Sequence, residues 1–168
     1  HSGLQPLRVS SVDPHEITDE LIELVARHPV VCRHMHIPLQ SGSDTVLKRM
    51  GRNYTASQFR DIVAKLRAQI PEIAITTDIM VGFPGETEED FQKTMELTND
   101  VAFSKIHVFQ YSKRLGTRAA KFPDQILSVE KEDRSRRLIH AGEALSERFH
   151  CSFIGEEVDV LVEQLQEN

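Results

Sequence analysis

Asp78 has the most unusual setting of any chemically capable residue in this chain. It stands inside Ile73 to Val81, a run otherwise made of Ile, Ala, Thr, Met and Val. A carboxylate in mid-strand is either a ligand contact or half of a buried ion pair, with Arg8 as a candidate partner. Gln40-Ser41-Gly42-Ser43-Asp44 leaves one apolar run and leads into a helical pattern. Its backbone N–H groups are placed to hold an anion or carboxylate, or simply to form a capped turn. Gly82-Phe83-Pro84-Gly85-Glu86 is a tight loop whose glycines permit positive φ or close approach, either to a ligand or to packed neighbours. It is not a phosphate-binding loop, because no Lys-Ser or Lys-Thr follows. His34 and His36 are two apart, but no Glu or Cys at helical spacing completes a metal set, so hydrogen-bonded interior histidines are expected. Lys113, Arg114, Arg118 and Lys121 make a basic stretch that either contacts phosphates or lies solvated. Cys32 and Cys151 form no CxxC or knuckle and read as unreactive structural thiols.

The elements that position these residues alternate between short strands and amphipathic helices. Leu7 to Ser11 reads as a strand, with a turn at Asp13-Pro14 and a helix from Thr18 to Arg27 bearing Leu21, Ile22, Leu24 and Val25 as its stripe. His34 to Leu39 is the second strand. Ser43 caps a short helix ending near Gly51, and Thr55 with Gln58 makes a capping box for a helix that Pro71 ends. Ile73 to Val81 is the third strand, and Thr87 caps a helix to about Asn99. Lys105 to Tyr111 is the fourth strand. A long charged helix runs from Ser128 to about His150 with Leu138, Ala141, Leu145 and Phe149 inward, and Glu157 to Glu163 alternates like a strand. Recurring strand–helix units predict right-handed crossovers and a parallel sheet. Four strands are too few for a complete eight-stranded barrel of about 250 residues.

Strand alternation separates two faces. Met35, Ile37 and Leu39 oppose His34, His36 and Gln40; Ile75, Thr77, Ile79 and Val81 oppose Thr76 and Asp78; Ile106 and Val108 oppose His107, Phe109 and Tyr111. Strands buried on both faces normally read as continuous apolar runs. Unpartnered burial of polar groups costs about 1–3 kcal/mol each, so this face is expected to carry a hydrogen-bonded network, water or a ligand. Ligands of α/β folds bind at strand C-terminal ends, where the Gln40 and Gly82 loops sit.

The 168 residues carry a net charge of -6 and 39% hydrophobic residues, which excludes disorder and argues against binding nucleic acid by bulk charge. No apolar run reaches the ~18 residues of a membrane span, no secretory leader is visible, and a reduced cytoplasmic compartment is expected. No Gly-x-Ser-x-Gly elbow suggests a hydrolase. His1-Ser2-Gly3 reads as a tag scar or cut point.

Three segments, Leu7-Arg8-Val9-Ser10-Ser11-Val12-Asp13-Pro14, His34 to Asp44, and Asp78 to Thr87, together resemble the radical S-adenosylmethionine methylthiotransferases. Phe109-Gln110-Tyr111-Ser112 followed by Gly116-Thr117 also fits, and the resemblance runs in order along nearly the whole chain. Ser10 to Pro14 and Ile106 to Phe109 look most like the branch acting on N6-threonylcarbamoyladenosine 37 of tRNA, at C2, with the isopentenyladenosine branch close behind. A ribosomal-protein methylthiotransferase and a non-enzymatic α/β binding module are the alternatives.

The resemblance implies an α/β fold, a partial radical-SAM (TIM-like) barrel of parallel βα units. Residues 1–127 would be the later part of that barrel, 128–154 a connecting helix, and 155–168 the first strand of a small β-barrel (TRAM-like) RNA-binding domain. It implies S-adenosyl-L-methionine and two [4Fe-4S] clusters in the parent enzyme, with cluster ligands absent from this chain, which alone is expected to be inactive. It implies tRNA and an electron donor as partners and no membrane; a half-barrel also has open sheet edges, so the fragment is expected either to be partly covered by its own long helix or to self-associate through them. By the same resemblance Ser11, Gln40, Ser41 and Asp78 would lie near the ribose or methionine part of the cofactor, and Gly82 near its adenine. No nucleophile or general base is implied, since the clusters and cofactor carry the chemistry.

Overall fold

Hydroxyl caps set where the helices begin. Thr18 accepts from Leu21 N–H at the head of α1 (Asp19–Arg27), and Ser43 from Val46 N–H at α2 (Asp44–Met50). Thr55 with Gln58 and Thr87 with Asp90 make capping boxes for α3 (Ala56–Gln69) and α4 (Glu88–Val101). The long α5 is Ser128–Cys151. Between them run β1 (His34–His36), β2 (Ala74–Val81) and β3 (Lys105–Gln110), parallel and in the order β1-β2-β3. This is a computed structural model, and it describes residues 6–158.

Helices cover one face of the sheet. α1 packs on α3, α3 on α4 and α4 on α5, while α5 lies along β3. The core fills the space between them, with Met35, Ile37, Leu39 and Ile79 from the strand side and Phe59, Phe91 and Phe103 from the helix side, all fully buried. Each contributes about 1.5–3 kcal/mol by leaving water. The helix expected to connect two units therefore packs directly on the sheet. Among the described residues no helix is long and apolar enough to cross a membrane.

β1 is shorter than the expected His34 to Leu39, and the cause is Pro38. It has no N–H to give to the ladder. Thr77 fills the gap: its hydroxyl donates to Ile37 O at 2.7 Å and accepts from Leu39 N–H at 2.9 Å. Pairing resumes one residue late, with His36 opposite Thr76 but Gln40 opposite Ile79, which is the geometry of a bulge. Gln40 takes φ 64°, uncommon for a residue other than glycine. Tyr54, whose hydroxyl donates to Pro38 O and Leu39 O at 3.0 and 3.1 Å, holds the bulge from outside. Burial pushes its pKa up to about 12, so it remains a donor.

Leu7 to Ser11 is not a regular strand. It is an extended segment tied to the sheet by two isolated parallel bridges, Leu7 to Val31 and Ser11 to His36. Four steps on one side match five on the other, and that slip interrupts the ladder. Leu24, expected in the α1 stripe, is 50% exposed, because α1 packs through Ile22 and Val25. The expected strand Glu157 to Glu163 lies almost wholly outside the described residues.

Candidate functional site

The face of the sheet away from the helices carries the polar residues. Register places Asp78 beside His107 on β3, and His36 beside Thr76. With Ser11 and Arg8 from the extended segment and His34 on β1, they line a cleft of about 500 Å³, within the range of small-molecule pockets.

These side chains form one series of polar contacts. Arg8 Nε donates to His34 Nδ1 at 3.1 Å, and His34 Nε2 lies 3.1 Å from Thr76 Oγ1. Thr76 Oγ1 lies 2.9 Å from His36 Nδ1, and His36 Nε2 lies 3.3 Å from Asp78 Oδ2. Arg8 Nη2 also lies 2.8 Å from His34 Nε2, so the guanidinium, which can only donate, faces both ring nitrogens and needs an acceptor there. His34 must be neutral for this. Burial first, and then the charge of Arg8, lowers its pKa to about 4. Among the described residues Asp78 Oδ1 has no hydrogen-bond partner, so the series ends on an acceptor that faces usable space.

The strand-end loops are different. Ser41 is fully buried; its Oγ lies 3.3 Å from Thr94 Oγ1 and accepts from Ser43 N–H at 3.2 Å. Ser43 Oγ donates to Asp90 at 2.6 Å. Burial alone would raise the Asp90 pKa, but donors from Ser43 and Thr87 outweigh it and hold the carboxyl below its ordinary value. A Cβ on Gly42 would stand 2.6 Å from Thr94 Cα, so only glycine fits against α4 there. Gly82, at φ 71°, gives its N–H to Glu86 Oε2 at 2.7 Å. Arg134 of α5 donates to the same oxygen at 2.8 Å and to Glu86 O at 3.0 Å. Burial pushes the Glu86 carboxyl up, against the pull of Gly82 N–H and Arg134. Lys131 covers the loop: a Cβ on Gly82 would meet its Cγ at 2.1 Å.

The structure thus brings Ser11 and Asp78 together in the cleft. Gln40, Ser41 and Gly82 do not line it. Gln40 joins it through the backbone, giving its N–H to Asp78 O at 2.8 Å. Ser41 is absorbed into the contact between its loop and α4, and the close approach at Gly82 is to Lys131. The partner of Asp78 is His36, not Arg8, because the Arg8 guanidinium is taken by His34. His36, Thr76 and His107 complete the cleft and were absent from the sequence-derived site. Their shared alternation with Asp78 was the signal.

A sequence profile of the Radical SAM superfamily matches residues 6–98, more than half of the chain. The chain belongs to that superfamily. Within it the sequence is 43% identical over 162 residues to the threonylcarbamoyladenosine tRNA methylthiotransferase MtaB of Bacillus subtilis, covering 96% of this chain and 36% of that protein. It is 48% identical over 160 residues to the tRNA-2-methylthio-N(6)-dimethylallyladenosine synthase of Mycobacteroides abscessus, covering 95% and 32%. The chain therefore spans about a third of the length of these curated relatives. The fold is similar to that of coproporphyrinogen III oxidase (HemN) from Escherichia coli, a radical SAM enzyme, with TM-score 0.68, 20% identity, and 82% of this chain and 32% of that one covered. It is also similar to the archaeal Methanocaldococcus infernus Elp3, with TM-score 0.60, 12% identity, and 90% and 42% covered. At these identities the likeness shows the fold.

The two cofactors of the superfamily fit these residues differently. The cleft holds a guanidinium and a carboxylate that do not pair with each other, together with hydroxyl and imidazole groups, a donor and acceptor set suited to a polar, zwitterionic ligand such as S-adenosylmethionine. An iron–sulfur cluster does not fit. The chain holds two cysteines, Cys32 and Cys151, and among the described residues no group of three His, Cys, Asp or Glu is placed to hold a metal.

Proposed function

We propose that these residues form part of the S-adenosylmethionine site of a methylthiotransferase that modifies an adenosine of tRNA. The observation that carries the reading is the polar inner face, where three hydrogen-bonding steps link Arg8, His34, Thr76 and His36, and His36 lies 3.3 Å from the Asp78 carboxylate at the open cleft. The cofactor, when bound beside a reduced cluster held elsewhere in the protein, supplies hydrogen-abstracting radical chemistry. The chain's own part is binding and orientation. Asp78 accepts from hydroxyl or ammonium hydrogens of the ligand, Ser11 adds a hydroxyl, and Arg8, held by His34, adds positive charge at the cleft wall. His36 and His34 keep Asp78 oriented, while Gln40, Ser41 and Gly82 shape the strand ends that frame the ligand. An electron donor and tRNA are the partners, and the 168 residues alone do not turn over, since their two cysteines cannot ligate a cluster.

Within this reading the favoured substrate is N6-threonylcarbamoyladenosine, supported by Ser10 to Pro14, Ile106 to Phe109 and the likeness to MtaB. The dimethylallyladenosine substrate is a second reading, supported by the 48% identity to the mycobacterial synthase. Nucleoside mass spectrometry on tRNA from cells lacking the gene tests both. Loss of methylthio-threonylcarbamoyladenosine, with its precursor accumulating, is the expected result. Loss of the dimethylallyl form instead transfers the assignment, and an unchanged profile of both rejects tRNA.

A further inference from the structure

The segment after β3 stands apart electrically from the rest of the molecule. Residues 102–123 contain Lys105, Lys113, Arg114, Arg118 and Lys121 and no Asp or Glu, whereas the remainder carries 15 basic and 26 acidic residues. Lys113, Arg114, Arg118 and Lys121 are all exposed. Among the described residues none has an acidic partner within 4.0 Å, although most arginines elsewhere are paired. A stretch meant only to be solvated needs no such exclusion of acids.

The loop is held in shape without using those charges. Thr117 Oγ1 donates to Arg114 O at 2.9 Å, and Gln125 Nε2 donates to Ala119 O and Phe122 O at 3.0 and 2.9 Å. Arg49 from α2 lies 5.1 Å over the Phe122 ring and donates to Asp124 at 2.8 Å, while Gly85 N–H donates to Asp124 O at 2.8 Å. The cations are therefore presented on an anchored backbone beside the Gly82 loop. That position is the C-terminal end of the sheet, where α/β ligands enter.

We propose that this loop is a docking surface for the phosphate backbone of RNA, with Lys113, Arg114, Arg118 and Lys121 as the contacting cations. The identity of the RNA rests on the tRNA reading above; the charge argument concerns its phosphates. Such contacts position a nucleic acid without reading its sequence, and each releases counterions. Each neutralised phosphate steepens the fall of log affinity with log salt by about 0.7 for single strands and about 0.9 for duplex.

The test is fluorescence anisotropy of the intact protein with an unmodified anticodon stem–loop RNA, from about 50 to about 200 mM salt. The variant Lys113→Gln/Arg114→Gln/Arg118→Gln/Lys121→Gln is expected to flatten the slope by about three and to weaken binding at low salt. Arg114→Lys/Arg118→Lys, which keeps the charge, is expected to retain the wild-type slope. If the fourfold variant fails to fold, Arg114→Gln and Arg118→Gln singly should each flatten the slope by about 0.7–0.9. RNA binding with unchanged slope in the neutralised variants overturns this inference and leaves the tRNA reading intact. Absence of RNA binding by the wild type overturns both. Loop-dependent binding of polyglutamate without loop-dependent RNA binding assigns the surface to an acidic protein and also overturns it.

Discussion

Two regions of this molecule are built from the same polar residue types and do opposite things with them. Behind the strand ends, Ser41, Ser43, Asp90 and Thr94 and the Glu86–Arg134 pair are buried and mutually bonded, with Arg134 and Glu86 side chains 8% and 1% exposed. On the inner face, Ser11, His36, Asp78 and His107 line a cleft, and the series of polar contacts that begins at Arg8 stops at a carboxylate whose second oxygen has no partner among the described residues. Saturation of partners, not polarity, separates a scaffold from a site. A closed network converts desolvation cost into fixed geometry. An open one leaves that cost to be offset by a ligand.

Substitutions in the closed region should change stability, and those in the cleft should change binding. The largest effect is expected at Arg134→Met, which strands the buried Glu86 carboxyl and should cost about 3–5 kcal/mol in urea unfolding. A loss below about 1 kcal/mol would mean the pair is not closed as described. Next is Gly82→Ala. It forces a side chain to φ 71° and into Lys131, and should cost about 2–4 kcal/mol from backbone and overpacking together. A milder loss in Gly82→Ala/Lys131→Ala than in Gly82→Ala alone would confirm the contact.

The cleft itself predicts a smaller, pH-dependent signature. His34 has a folded-state pKa of about 4 against an ordinary 6.5. The unfolded chain therefore takes up a proton first, and stability should fall as pH drops from about 6.5 toward about 4. Above that window His34 is neutral in both states and contributes no slope. His34→Gln should flatten that part of a urea-midpoint profile, and an unchanged profile would show that His34 is not held neutral.

Much of this architecture is legible in the sequence because its signals are local. Thr55 with Gln58, Ser43 before Asp44, and Pro71 after Ile70 mark helix ends at the positions observed. Strand alternation identified the polar face, since a period of two survives any detail of pairing. What alternation cannot supply is which polar groups satisfy one another. Asp78 faces His36 on the adjacent strand, a contact set by the β1–β2 register and not by local sequence, and Arg8 goes to His34. Ser41 and Gly82 carry the residue types of a ligand loop, but α4 and α5 approach them from about 50 residues further along the chain and claim their contacts. A strand running to Leu39 overlooks Pro38, although its missing N–H is a local signal for the bulge. The Thr77 hydroxyl that repairs it has no local signal, because that depends on the register of the neighbouring strand.

The central claim is that the inner face stays open because it binds the cofactor. The most direct measurement is calorimetric titration of S-adenosylmethionine into the intact protein, wild type against Asp78→Asn, with urea unfolding of both. The account predicts binding weaker by about tenfold to a hundredfold, the loss of a charged hydrogen bond, with stability changed by less than about 1 kcal/mol. Equal affinity in the two proteins would contradict it.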